Sequence, residues 1–302
     1  MTTVLTTAAA PATRTPRGPH GLLWAVLRVH RTALVFLGLV LVAATAVLIW
    51  MYAIGDEARR GLSACAMPVG ADGLPSCDSV HAITADDTYR TFIALIAAVL
   101  SYTVFPVAAW AGGALIGREL ENGTARLTWV QSVSPTRWLT AKLAVPAALL
   151  TVSVGGLVLL YLSTRQDDPS LAGDWYFPEV YVSLGPTAVA HALAGLALGA
   201  LAGLLCRRAL PAAGAGFAAA LVLYNVLERF REDLWPTVTR VEKTEFELPR
   251  SAWQTHWESE TRVTYHPESH FWPLQYVETG ILLAVAAAAT LAAFAILRRR
   301  TP

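Results

Sequence analysis

Six stretches without one charged side chain constrain this chain more than any other feature. They run from Thr32 to Ile54, Thr91 to Gly117, Leu143 to Thr164, Val180 to Leu205, Ala209 to Leu227 and Thr279 to Leu297. Each is close to or above the ~20 residues that a helix needs to cross ~30 Å of hydrocarbon. Inside hydrocarbon no water satisfies backbone N–H and C=O groups, so such stretches must pair them internally as helices. The expected fold is an all-α integral membrane protein with six transmembrane helices. Composition agrees: 55% of residues are apolar and 15% charged, against roughly 25% charged in an average soluble domain. Pro106 and Pro186 lie inside apolar runs and read as kinks rather than ends.

An even number of spans puts both termini on one side. The loops of that side carry thirteen cations (Arg14, Arg17, Arg28, Arg31, Arg118, Arg126, Arg137, Lys142, Arg207, Arg208 and Arg298 to Arg300) against two acids, Glu119 and Glu121. The opposite loops hold the remaining ten cations and twenty acids. Such separation is the positive-inside pattern. It predicts a multi-pass protein of the cell membrane with cytoplasmic termini, and no nucleic-acid partner. The formal net charge of +1 conceals this asymmetry.

Residues 1–20 are polar, carry Pro and Arg, and read as a disordered cytoplasmic tail; residues 21–302 read as one six-helix domain. No secretory signal is expected, because the first apolar run is too long for one. Between tail and span lies GLLWAVLRVHRTAL, residues 21–34, whose apolar and basic residues fall on different helical sides. It reads as an amphipathic helix in the membrane interface; the alternative is an extension of the first span with snorkelling arginines. Cys65 and Cys77 share the first outside loop and are candidates for a disulfide, with two free thiols as the alternative. Cys206 reads as inert packing at a helix end.

Ion-coupled transporters keep Asp, Glu, Lys or Arg inside their spans, despite an insertion cost of roughly 2.5 kcal/mol or more each. None of the six stretches has one. His191 and Asn225 are the strongly polar intrusions and are expected to hydrogen-bond across helices, while Glu278 is expected at the interface. Nucleotide binding by a phosphate loop needs G-x-x-x-x-G-K-[ST], and neither lysine, Lys142 or Lys243, follows such a glycine cradle.

Attention therefore falls on GRELENGTARLTWVQSVSPTRWLTAKL, residues 117–143, which sits between two apolar runs and holds four of the chain's 23 basic residues. Ser134-Pro135 reads as an N-cap with proline at the first helical position. Upstream come carboxylates, a Gly-Thr break and an apolar strip from Leu127 to Val130, with Trp129 and Trp138 expected as interfacial anchors.

The pattern Glu119-x-Glu121-x-Gly123-Thr124, Arg126 to Trp129, Val133-Ser134-Pro135-x-Arg137 and Lys142 resembles the first cytoplasmic loop of type 2 ABC-exporter permeases. In that family the glutamate, the Gly-Thr pair and the proline-Arg-Lys tail belong to the segment that couples to the nucleotide-binding subunit. The N-terminal interfacial helix, the six spans and a long outside loop before the last helix are similar too. Residues 264–281, TYHPESHFWPLQYVETGI, resemble a re-entry motif of actinobacterial members. The resemblance spans the chain by topology and about twenty-five residues by motif. It implies a permease that acts as a dimer, homomeric or with a related permease, beside a separate ABC ATP-binding subunit. It also implies that ATP and Mg bind the partner and that this chain holds no cofactor and is not itself an enzyme.

Asn122-Gly123-Thr124 matches a glycosylation sequon, but the charge pattern places it in the cytoplasm, where the match is chance. Gly195, Gly199 and Gly203 form a small-xxx-small face suited to close helix approach, within the chain or to a second copy. His256, Glu258, Glu260, His266, Glu268 and His270 lie in an outside loop; His256, His266, Glu268 and His270 are the candidate zinc ligands, and a solvated face is the plainer reading. The outside loop 228–278 is expected to form short helices on the membrane surface, with Trp235, Trp253, Trp257 and Trp272 as anchors.

Three functional readings follow: an exporter permease, a membrane-embedded enzyme with a His/Glu metal site, and a membrane-anchored receptor or assembly factor. No residue selects a substrate.

Overall fold

The computed structural model describes residues 21–65, 84–131, 133–165, 169–242, 244, 246–259 and 261–300. The calls on the 1–20 tail and on Cys77, and so on a Cys65–Cys77 bridge, lie outside the described residues. A short helix α1 (Leu22–Val29) precedes α2 (Arg31–Cys65). The chain then forms α3 (Ala85–Tyr102), α4 (Val104–Trp110), a π-helical segment (Ala111–Gly117), α5 (Arg118–Glu121) and α6 (Thr124–Val130). Next come α7 (Pro135–Thr164), α8 (Pro169–Ala172), α9 (Pro178–Ser183), α10 (Thr187–Cys206) and α11 (Ala209–Phe230). Three strands, β1 (Val238–Val241), β2 (Trp253–Ser259) and β3 (Arg262–His266), lead into α12 (Phe271–Arg300).

Six helical stretches are long and apolar enough to span a membrane: Arg31–Gly61, Ala85–Glu121, Pro135–Thr164, Thr187–Cys206, Ala209–Asp233 and Glu268–Arg300. They are the six expected, but most run past the charge-free limits, because a helix continues through polar residues once these find partners. The fourth instead starts later, at Thr187 rather than 180: Pro186 is its N-cap, and α9 is a separate turn before it. Pro106 lies in α4, just past the break at Thr103 that ends α3.

α10 is the central helix, with fourteen of its residues buried. It is apolar all round, as a helix surrounded by others must be. α11 turns Ala212, Gly216, Ala220 and Tyr224 inward, one residue every fourth position, which makes a ridge of small side chains that ends in a tyrosine. α12 buries Leu274, Glu278, Leu282, Ala289, Ala293 and Leu297 along one stripe. α2 is peripheral and exposes Val35, Phe36, Leu39, Val42, Ile49 and Tyr52.

The loop before α12 corrects the all-α expectation. It holds an antiparallel sheet in the order β1-β3-β2, pairing Val238 with Tyr265 and Trp253 with His266, with irregularities in β2 between Gln254 and His256 and between Trp257 and Ser259. Alternating Thr, Val, Tyr and Trp residues suit a pleated, half-buried surface, and that pattern outweighs a surface-helix reading. Trp175 anchors the sheet: its Nε1–H donates to the Ser251 carbonyl at 2.7 Å, and its ring meets Trp253 edge-on at 5.9 Å.

Candidate functional site

The segment between the second and third spans turns on Gly123, whose φ of 72° lies in the left-handed region. Nothing stands within 4 Å of where its Cβ would be, so glycine serves the backbone here rather than a close approach. Asn122 closes α5, Gly123 caps α6, and the Thr124 hydroxyl donates to the Glu119 carbonyl at 3.2 Å. At the other end Ser134 caps α7, its hydroxyl accepting from the Arg137 N–H at 3.4 Å with Pro135 at the first helical position. Two helix starts therefore bracket a tight hairpin.

Glu119 joins these pieces. One carboxylate oxygen pairs with Lys142 Nζ at 2.5 Å, and the other accepts from Trp138 Nε1 at 3.1 Å. Lys142 also donates to His30 Nε2 at 2.9 Å, so the His30 imidazole is an acceptor at Nε2 and carries its proton on Nδ1. Burial above all, helped by the Lys142 charge and opposed by Glu119, lowers the His30 pKa to about 4. The neutral ring stacks edge-on against Trp110 at 5.5 Å. α1, α5 and the start of α7 are thus one polar knot. The Lys142 side chain is 5% exposed and that of Glu119 18%. Trp138, expected as a membrane anchor, is instead buried inside the knot, because its indole N–H has a carboxylate to serve.

Glu121 reaches elsewhere: its carboxylate accepts from the Ala209 N–H at 2.9 Å and so caps α11. Nearby, Arg300 donates to the Leu204 carbonyl at the end of α10 at 2.7 Å. The outward side of the hairpin is α6. There Leu127 and Val130 are 63% and 87% exposed beside exposed Arg126, while half-buried Trp129 turns inward onto Trp138 at 5.6 Å. Arg137 is exposed as well.

A family model described as ABC-2 membrane transporter related matches residues 36–231, well over half of the chain. The chain belongs to this family of ABC-2 type permeases. It is a multi-pass membrane protein and a transport component, and its family works with an ABC ATPase. Among curated proteins and among solved structures, nothing matches the permease. The match ends at Arg231, so the sheet and α12 lie beyond it.

The glycine face of the permease's α10 is used within the chain. A Cβ on Gly195 would come 2.6 Å from the Val104 carbonyl oxygen, one on Gly203 2.7 Å from Ile116 Cβ, and one on Gly199 would overlap the Ala108 carbonyl. The π-helical segment lies in this seam, where Gly112 and Gly117 allow equally close backbones.

At the opposite end of the bundle the permease hides a feature that the charge-free stretches conceal. Arg231, at the end of α11, donates from Nε and Nη2 to the Glu278 carboxylate of α12 at 2.8 and 3.2 Å. Their side chains are 3% and 0% exposed. Glu278 is therefore buried, not interfacial, and charge does occur inside the bundle. The sequence signal was available: Glu278 sits on the same stripe as Leu274 and Leu282, which points it inward if the helix begins before Thr279.

His191 and Asn225 do not bond across helices as expected. His191 Nδ1 donates to the Thr187 carbonyl at 3.0 Å and Asn225 to the Leu221 carbonyl at 2.8 Å, each one turn back in its own helix. Cys206, expected as packing, is exposed. Of the candidate zinc ligands, His256 and Glu268 are exposed, but His266 is fully buried and so corrects the solvated-face reading. Its Nε2–H donates to the Glu232 carbonyl at 2.9 Å, and its Nδ1 accepts from His270 Nδ1 at 3.0 Å. Burial lowers its pKa, with the neighbouring His270 adding to the effect. Among the described residues no three His, Cys, Asp or Glu side chains converge as metal ligands.

Proposed function

We propose that the permease is the membrane subunit of an ATP-driven exporter, with cytoplasmic termini, a second permease copy completing the translocation path, and a separate ATPase gripping the 118–142 hairpin. The observation that carries this reading is the division of labour in the hairpin. Arg126, Leu127 and Val130 face outward on a short, well-bounded helix, and the inner residues are tied to three spans. A force applied to α6 passes through the Gly123 turn into α5. From there Glu119 carries it to Lys142 and the start of α7, His30 to α1, and Glu121 to the start of α11. Short hydrogen-bonded links on helix ends transmit displacement because packed helices move as rigid bodies.

In this reading Glu119, Glu121, Gly123, Thr124, Ser134, Pro135 and Lys142 position the lever, and Arg126 and Arg137 meet the partner. ATP and Mg sit on that partner, which fits a sequence whose two lysines follow no phosphate-binding loop. Charge asymmetry favours the hairpin facing the cytoplasm, where the ATPase is.

The test is co-expression with an ABC ATP-binding subunit encoded in the same genome. The account expects the two to purify together and the permease to raise ATP hydrolysis, with Glu119→Ala abolishing the rise. A permease that stays solitary with every such subunit overturns the proposal.

A further inference from the structure

The Arg231–Glu278 pair has no role in the hairpin, and its surroundings are unusual for a structural ion pair. Four spanning or capping helices and the sheet converge on it. The guanidinium lies 4.2 Å above the Tyr181 ring of α9. Three residues before Glu278 on α12, Gln275 donates to the Tyr181 carbonyl at 2.6 Å and accepts from Thr187 of α10. One residue after Arg231, the Glu232 carbonyl is held by His266 of β3. Yet the cluster is not fully satisfied: the buried His191 Nε2 lacks a hydrogen-bond partner. His191 lies within electrostatic reach of both charges, and its ring meets Tyr224 at 5.5 Å.

This arrangement has a direction built into it. A buried ion pair contributes little or nothing to stability over an apolar pair of the same volume, because desolvation offsets the attraction. Unpartnered buried polar atoms are costly while dry and recover that cost when water arrives. Both effects vanish on hydration. Separating α11 from α12 here exposes an arginine, a glutamate and an imidazole nitrogen, which water stabilises and which offset the exposure of Leu227 and Leu282 one turn deeper. An all-apolar seal at the same place would have no such offset.

We propose that Arg231 and Glu278 form the lock of the permease's outer gate, closed in this structure, with His191 Nε2 as the group that water reaches first when α11 and α12 part. The proposal rests on the exporter reading for what opens the gate, but the lock itself is a property of this chain. The two residues are positioning residues of the transport cycle.

The experiment uses the permease with its ATPase subunit in lipid nanodiscs. His191→Cys is the probe in a chain with Cys65, Cys77 and Cys206 changed to serine, and its reaction with a membrane-impermeant methanethiosulfonate is timed. The expected result is slow labelling without nucleotide and about tenfold or faster labelling during ATP hydrolysis, as a minor open state becomes populated. Adding Glu278→Gln leaves Arg231 without its counter-charge and is expected to give fast labelling without nucleotide. The double change Arg231→Met/Glu278→Leu keeps volume, removes both charges, and is expected to label slowly with or without ATP.

ATP-responsive labelling of the double variant at the parental rate overturns the lock. So does a Glu278→Gln variant that labels as slowly as its parent. If Glu278→Gln does not fold, the double variant alone decides. If the parent ignores ATP while Glu278→Gln labels fast, the coupling proposal fails and the lock stands.

Discussion

The two buried ion pairs of this permease sit at opposite ends of one bundle and differ in almost every respect. Glu119–Lys142 joins segments 23 residues apart, keeps part of its carboxylate exposed, and shares its charges with the Trp138 indole N–H and the His30 imidazole. Arg231–Glu278 joins segments 47 residues apart, is sealed from solvent, and has the unpartnered His191 Nε2 beside it. In the proposed coupling the first arrangement is a joint, where rigidity is useful because force must pass through it. The second is a contact that gains from being broken in water. Depth of burial, rather than the presence of charge, separates the two.

That contrast can be broken at its strongest point first. Glu278→Ala leaves Arg231 sealed and unpaired, and is expected to lower stability by about 3–5 kcal/mol. Glu119→Ala should cost less, about 1–3 kcal/mol, because the joint lies nearer the surface and water can replace the lost partner. Thermal unfolding of both variants in the same nanodiscs checks the order; equal losses would remove the distinction between joint and lock.

The joint also holds a titratable base outside the spans, His30. His30 has an ordinary value near 6.5 unfolded and about 4 folded. The unfolded chain therefore binds more protons between these values, so the His30 contribution is complete above pH 6.5 and is withdrawn as pH falls toward 4. At pH 5 the loss is on the order of 2 kcal/mol. The expected outcome is release of α1, read from the fluorescence of half-exposed Trp24, with His30→Leu flattening the response. A response unchanged in His30→Leu would assign it to another group. A smaller effect sharpens the lever itself. Gly123→Val meets no steric obstacle, but puts a β-branched residue at φ 72°, a cost of about 1–2 kcal/mol. Unfolding temperature should shift little while stimulation of ATP hydrolysis falls.

These differences also mark what the sequence could tell. The six spans were legible because hydrocarbon admits few solutions, and the Gly123 turn and the Ser134-Pro135 cap because each rests on local chemistry that neighbours do not alter. Trp138 and Glu278 were misjudged for one shared reason. Both follow the usual habit of their residue type at a membrane surface only in sequence, and both are held inside by a single partner on another helical element, Glu119 in one case and Arg231 in the other. The sheet before α12 was missed because its strands are short and its Trp and His residues served equally well as interface anchors. His30 carried no signal of its own; only the fold brings it to Lys142.

The central claim is that α6 is the surface a separate ATPase holds. The direct measurement is binding of the ABC ATP-binding subunit to the permease carrying Arg126→Glu, Leu127→Ser and Val130→Ser, three exposed positions whose change leaves the knot intact. The account predicts a folded permease with unchanged unfolding temperature that no longer retains the ATPase. Undiminished binding by that variant would contradict it.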